Sequence, residues 1–177
     1  MRPSASLHRL ADFVPIVLLR IDERLIHGQV VIGWASQLRP DRYVVVDDEL
    51  AKSRWEQDLY RLGAGGAEVL FPTCEQARAR ASEWRVSPER TIVLTKDVST
   101  MRRLAAGGSL LGDNVVIGGV HPAAGRREVL TYVHLTESEM SELGALVDEG
   151  LEVSARDLPD AHAVDFEHLK RRWNSSN

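Results

Sequence analysis

The densest chemistry in the chain is one stretch of ten residues, Arg20-Ile21-Asp22-Glu23-Arg24-Leu25-Ile26-His27-Gly28-Gln29. It holds two guanidiniums, two carboxylates and one imidazole. An imidazole nitrogen is a competent nucleophile near neutral pH. Arginine brings fixed charge and paired donors that match phosphate oxygens. A helix starting near Gly28 would add unpaired backbone N–H groups and the positive end of its dipole. These parts together can accept, hold and release a phosphoryl group. Asp22 or Glu23 would orient the imidazole or pair with an arginine. A plainer reading makes Arg24 and Asp22 a surface ion pair and His27 a bystander at a helix cap. Position alone leaves both open.

The surrounding elements must place this stretch. Short β-branched runs alternate with segments of helical period. Residues 16–19 form a continuous apolar run, as a strand buried on both faces should. Val30, Val31, Trp34 and Leu38 then recur at helical spacing, and Pro40 closes the segment. Strands are expected at 43–46, 67–71, 91–95, 114–117, 128–135 and 151–155. Helices are expected around Trp55, Leu59 and Leu62, around Ala77, Ala81 and Trp84, around Met101 and Leu104, and around Met140, Leu143 and Leu146. Thr136 caps the last of these, with acids in its first turn, and a terminal helix is expected at 166–173. The pattern predicts an α/β fold with a mainly parallel sheet of about seven strands and helices on both faces. Ligand crevices in such folds lie at the carboxyl ends of the strands. That rule selects the loops at 20–27, Asp47-Asp48, Lys96-Asp97 and 118–122.

Composition narrows the classes. The chain has 177 residues, 44% hydrophobic and 27% charged, as a globular protein has. A net charge of −4 and a pI near 5.9 argue against an electrostatic nucleic-acid binder. One cysteine, Cys74, excludes an intramolecular disulfide and a cysteine-based zinc site, and suits a reducing cytoplasm. No apolar run reaches the ~20 residues of a membrane span. Residues 1–14 read as a flexible leader, and 15–177 as a single domain. A membrane role would then require docking onto a membrane partner.

Residues 20–30 read RIDERLIHGQV. This string resembles the RIDDRLIHGQV-type signature of the IIB components of the mannose/fructose/sorbose-type phosphoenolpyruvate-dependent sugar phosphotransferase system. VVVDDELA at 44–51, VLTKDVSTMRRLAAGG at 93–108 and NVVIGGV at 114–120 resemble further family segments. The resemblance spans about residues 16–155. It implies that His27 takes a phosphoryl group from a phosphohistidine of a IIA partner and passes it to a sugar at a IIC–IID membrane permease. Arg20, Asp22 and Arg24 fall on the motif and would bind phosphate or shape the loop. Gly28 and Gln29 fall on the helix start. The resemblance implies no metal or organic cofactor and leaves room for a homodimer. Catalysis of such a transfer rests on positioning and electrostatics. Two places depart from the pattern: Glu23 stands where Asp is usual, and the Gly-Gly element is followed by Val120-His121-Pro122 where the family usually has Gly-Gly-Met.

Other features have plainer readings. His121 is read as a loop histidine rather than a second phosphate contact. His8, His134, His162 and His168 lack paired ligand spacing. Gly63-Ala64-Gly65-Gly66 is a helix stop, because it follows a helix and lacks the GK[ST] ending of a phosphate loop. Lys170-Arg171-Arg172 is a solvated face. Trp34, Trp55 and Trp84 are assigned to core stripes, and Cys74 to a semi-buried packing role. Two other functions fit the same residues. One is a regulatory phosphoprotein without a transport role. The other is a small-ligand α/β module with no covalent step, for which no nucleotide fingerprint is present.

Overall fold

The computed structural model describes residues 16–176, so the expected leader lies outside it. Nine strands and six α-helices alternate along these residues. The strands are β1 (Ile16–Asp22), β2 (Arg42–Val46), β3 (Glu68–Leu70), β4 (Thr91–Thr95), β5 (Asn114–Gly119), β6 (Arg127–Leu130), β7 (Val133–Leu135), β8 (Glu152–Ala155) and β9 (Val164–Asp165). The helices are α1 (Ala35–Leu38), α2 (Arg54–Gly63), α3 (Cys74–Val86), α4 (Val98–Ala105), α5 (Glu137–Asp148) and α6 (Phe166–Ser175). A π-helical turn, Gln29–Trp34, runs directly into α1. The main sheet has seven strands in the order β3-β2-β4-β1-β5-β8-β9. All its pairs are parallel except β8–β9. The α/β expectation with about seven strands therefore holds.

Alternation along the strands builds two apolar layers. Leu19, Ile21, Val44, Val46, Val93, Val115 and Ile117 face α3, α4, α5 and α6. Leu18, Tyr43, Val45, Ile92, Leu94 and Val116 face the π turn and the loop before it, through Val30, Trp34, Leu25 and Ile26. Local signals start the helices that hold the first layer. Thr73 with Gln76, and Thr136 with Glu139, form reciprocal capping boxes on α3 and α5. Asp97 caps α4 and Asp165 caps α6. Gly65 and Gly66, at φ 64° and 90°, turn the chain after α2, so the glycine cluster is the helix stop read from the sequence.

Four expectations change. The first strand runs to Asp22 rather than Leu19. Charged residues at 20 and 22 hide it from a hydrophobicity reading, yet both side chains are fully buried. The segment 128–135 is a hairpin, β6 and β7, with its own two-stranded sheet beside the main one. The short antiparallel edge strand β9 carries too little pattern to be read. Finally, Trp55 does not join the core. Trp55, Leu59 and Leu62 are 68%, 58% and 84% exposed, whereas Trp34 and Trp84 are buried. Polar Gln57 faces inward on α2 instead, donating to the carbonyls of Leu50 and Ala51.

Candidate functional site

The site forms where β1 and β5 end side by side. Arg20 and Asp22 point to the same face because they are two residues apart on one strand. Arg20 Nη2 donates to Asp22 Oδ2 at 2.9 Å. Its guanidinium also donates to the carbonyls of Arg156, at 2.8 Å, and Asp157, at 3.1 Å. It lies over the Trp34 ring, 5.3 Å from the centroid, and the Trp34 indole N–H donates to the same Asp157 carbonyl. Burial pulls the Arg20 pKa down, and Asp22 offsets this only in part. A buried charge without a partner costs several kcal/mol, so Arg20 and Asp22 stand or fall together.

Gly118 makes this placement possible. A Cβ there would come within 1.9 Å of Arg20 Cζ. At Gly119, a Cβ would approach Asp22 Oδ1 and Arg24 Nη2, each at 3.1 Å. The Gly-Gly element is thus the floor on which the charged side chains lie. By contrast, nothing lies within 4 Å of a Cβ at Gly28, so that glycine is not required by space.

Asp22 is the hub. Besides Arg20 it accepts from the Arg24 backbone N–H at 3.1 Å and from Arg24 Nε at 3.2 Å. Arg24 Nη2 donates in turn to the Gln29 side-chain oxygen at 2.9 Å. The Arg24 side chain is 38% exposed, which leaves it open to an incoming anion. The His27 ring is only 16% exposed. Its Nε2 is sealed from solvent with no hydrogen-bond partner among the described residues, and Asp22 Oδ2 stands 3.8 Å away. Nδ1 lies 2.9 Å from the Leu25 carbonyl. A carbonyl only accepts, so that contact puts a proton on Nδ1. Leu25 adopts a left-handed backbone, φ 54°, which costs roughly 1–2 kcal/mol for such a residue. The turn before it is closed by Leu25 N–H donating to the Asp22 carbonyl at 2.9 Å.

A second set of charges adjoins the first. The Glu23 carboxylate accepts from His121 Nδ1 at 2.7 Å, from the His121 backbone N–H at 3.0 Å and from Arg126 at 2.5 Å. Arg126 also forms a bidentate pair with Glu139 and donates to the His121 carbonyl. Burial pushes the Glu23 carboxyl up, but the His121 N–H, the Arg126 guanidinium and the His121 ring outweigh it and hold it below its usual range. The plain loop reading of His121 is therefore incomplete, since the residue is bonded to the His27 loop.

The other strand-end residues serve the fold. Asp47 caps the turn Leu50–Lys52. Asp48 accepts from the Cys74 backbone N–H and from Arg103, and Asp97 caps α4. Lys96 is exposed, one residue beyond Thr95, which pairs with Ile21. Burial raises the Cys74 thiol pKa, which fits packing rather than reactivity. His162 and His168 are exposed.

Of the motif residues, the structure gathers Arg20, Asp22, Arg24, His27 and Gln29. Sequence reasoning missed Arg126, Glu139 and the Arg156-Asp157 backbone. Glu139 was legible only as a cap acid, and backbone acceptors leave no mark in side-chain identity.

The chain matches the family model described as PTS system sorbose subfamily IIB component over residues 16–176. It is 31% identical over 147 residues to the N-acetylgalactosamine-specific phosphotransferase enzyme IIB component 1 of Escherichia coli K12, covering 81% of this chain and 91% of that one. It is 29% identical to the PTS system mannose-specific EIIAB component of the same organism, covering 82% of this chain but 45% of that longer protein. The crystal structure of the IIBSor domain of the sorbose permease from Klebsiella pneumoniae superposes with a TM-score of 0.79 at 23% identity, covering 88% of this chain and 96% of that one. No helix among the described residues is long and apolar enough to cross a membrane.

Proposed function

Because the chain belongs to the sorbose subfamily of PTS IIB components, whose model it matches over residues 16–176, we propose that His27 carries a phosphoryl group from a IIA partner to a sugar at a IIC–IID permease. Members of this family are phosphotransferase components of sugar uptake systems, and that much holds for this chain. The identity of the carrier residue and of the partners is our reading.

The observation that supports it most is the setting of the His27 ring. Nε2 is buried toward Asp22, and we therefore assign Nδ1 as the atom that meets the donor. In the transfer, the ring gives up its bond to the Leu25 carbonyl and carries its proton on Nε2, where Asp22 accepts it. The Nδ1 lone pair attacks phosphorus, and the P–N bond to the donor histidine breaks. Arg24, half exposed beside the loop, meets the phosphoryl oxygens. Arg20 stays buried and holds Asp22 in place. In the onward step a sugar hydroxyl takes the phosphoryl group, and the P–N bond to His27 breaks. No step needs a metal or an organic cofactor. The protein would act in the cytoplasm, docked on the permease.

The test is phosphorylation from phosphoenolpyruvate through the two general phosphotransferase proteins and a IIA protein from the same source. Wild type should gain one acid-labile phosphoryl group by intact mass, with phosphorus coupled to Nδ1 in NMR spectra. His27→Ala should gain none. Label on the His27→Ala protein would overturn the assignment.

A further inference from the structure

We propose that Glu23 and His121 are positioning residues, which hold Leu25 in its left-handed conformation and so aim the Leu25 carbonyl at His27 Nδ1. The inference deepens the phosphocarrier reading and rests on it for its kinetic arm.

Three observations carry it. First, Leu25 is one of two non-glycine residues with positive φ among the described residues, and it lies inside the His27 loop. A non-glycine residue keeps such a conformation only where its surroundings over-determine it. Second, that carbonyl is the partner of His27 Nδ1, at 2.9 Å. Its direction decides whether the ring stands with Nε2 toward Asp22 or turns away. Third, the segment just before Leu25 is pinned at both backbone and side chain. The Glu23 N–H donates to the Gly119 carbonyl at 3.0 Å. The Glu23 carboxylate is held by the His121 ring, the His121 N–H and Arg126. Arg126 is itself locked by Glu139 at the start of α5, so the anchor reaches into the rigid body of the fold. Asp22 grips the other side of the turn through the Arg24 N–H.

The two ends of this anchor are Glu23, which stands where Asp is usual, and His121, which lies in the Val120-His121-Pro122 segment that departs from the family's Gly-Gly-Met. They meet at 2.7 Å. A longer carboxylate at 23 thus has an imidazole to receive it at 121.

The anchor acts through Leu25 on the resting ring, keeping Nε2 beside Asp22 until Nδ1 is released from the carbonyl for transfer, and it does not touch phosphate. Its loss should therefore lower the turnover of phosphoryl transfer more than it raises the KM for the phosphorylated IIA protein. A ring that is no longer aimed should cost about tenfold or more in rate.

The experiment uses the full chain labelled with 15N-histidine, as wild type, Glu23→Gln, Glu23→Ala and His121→Ala. Long-range 1H–15N spectra report the protonation of each His27 nitrogen without any partner protein. Wild type should show His27 with a protonated, exchange-protected Nδ1. Glu23→Ala should lose that protection and drop kcat about tenfold, with KM within about twofold. His121→Ala should fall between, because the backbone N–H and Arg126 still hold Glu23. Glu23→Gln should recover part of the loss, since its amide oxygen still accepts. If Glu23→Ala does not fold, His121→Ala decides, as it removes only a half-exposed ring. An unchanged His27 signal and unchanged kcat in the folded variants would overturn the inference. A wild type that shows the protected Nδ1 but takes no phosphate would instead refute the phosphocarrier reading and leave the anchor standing.

Discussion

Gly118→Ala tests the architecture of the site at its tightest point. The new Cβ would stand 1.9 Å from Arg20 Cζ, 2.0 Å from Nη2 and 2.4 Å from Nε. The guanidinium cannot step aside cheaply. It is tied to the Arg156 and Asp157 carbonyls and to Asp22, and it lies on the Trp34 ring. Moving it breaks a fully buried ion pair, which costs about 3–5 kcal/mol, against a total stability of about 5–15 kcal/mol. Urea denaturation monitored by tryptophan fluorescence measures the loss. Gly28→Ala serves as the internal control. Its backbone is right-handed helical, and no atom lies within 4 Å of the added carbon. That change should be neutral or stabilising by about 0.4–1 kcal/mol. In an Arg20→Ala background the Gly118→Ala penalty should shrink below about 1 kcal/mol, because the colliding group is gone and coupled neighbours do not add. A Gly118→Ala protein within about 0.5 kcal/mol of wild type would refute the reasoning. So would a penalty that survives in the Arg20→Ala background.

Asp22→Asn should leave Arg20 buried without a counter-charge, lower stability by about 3–5 kcal/mol and abolish phosphoryl acceptance; chemical denaturation and intact mass measure the two effects. For Glu139, burial raises the carboxyl pKa but the Arg126 pair and the Thr136 N–H lower it further. Its folded value thus lies below the unfolded one of about 4.3. The stability it contributes is complete above that pH and is lost as pH falls through the folded value. Denaturation midpoints of Glu139→Gln should therefore converge on wild type as pH falls below about 4.3, and a gap that widens there would contradict the assignment. Trp84→Ala should cost about 3–5 kcal/mol and Trp55→Ser less than about 0.5 kcal/mol, by the same assay, because one ring is 2% exposed and the other 68%.

Much of this protein is legible in its sequence where local chemistry and pattern agree. The parallel strands announce themselves by unbroken Val, Ile and Leu runs, since both faces are covered. Thr136 and Glu139 mark a helix start by spacing alone. The His27 loop stands out because five charged or titratable side chains crowd into eight positions after an apolar strand. Illegible parts depend on distant partners. Arg20 reads as the first residue of a loop until Gly118, ninety-eight positions later, is seen to leave room for it on the sheet. Arg126 reads as a surface cation until the fold sets it between Glu23 and Glu139. Trp55, Leu59 and Leu62 have the spacing of a buried stripe, yet period only says that side chains share a face and not which way that face turns.

The guanidinium laid across Gly118 also acts as a check on strand pairing. In the native register Arg20 lies opposite Val116, and its side chain extends over Gly118. Sliding β1 by two residues along β5 would keep every face assignment. Sliding it one way would also set the guanidinium against Val116, where a branched side chain fills the space. Only the native alignment lays the arginine over Gly118, and only that alignment completes the carboxylate hub beside His27. Molecules in a preparation should then fall into two groups, fully competent and inert, with nothing between. A half-misfolded sample would show half the stoichiometry of labelling and an unaltered rate for each molecule that labels.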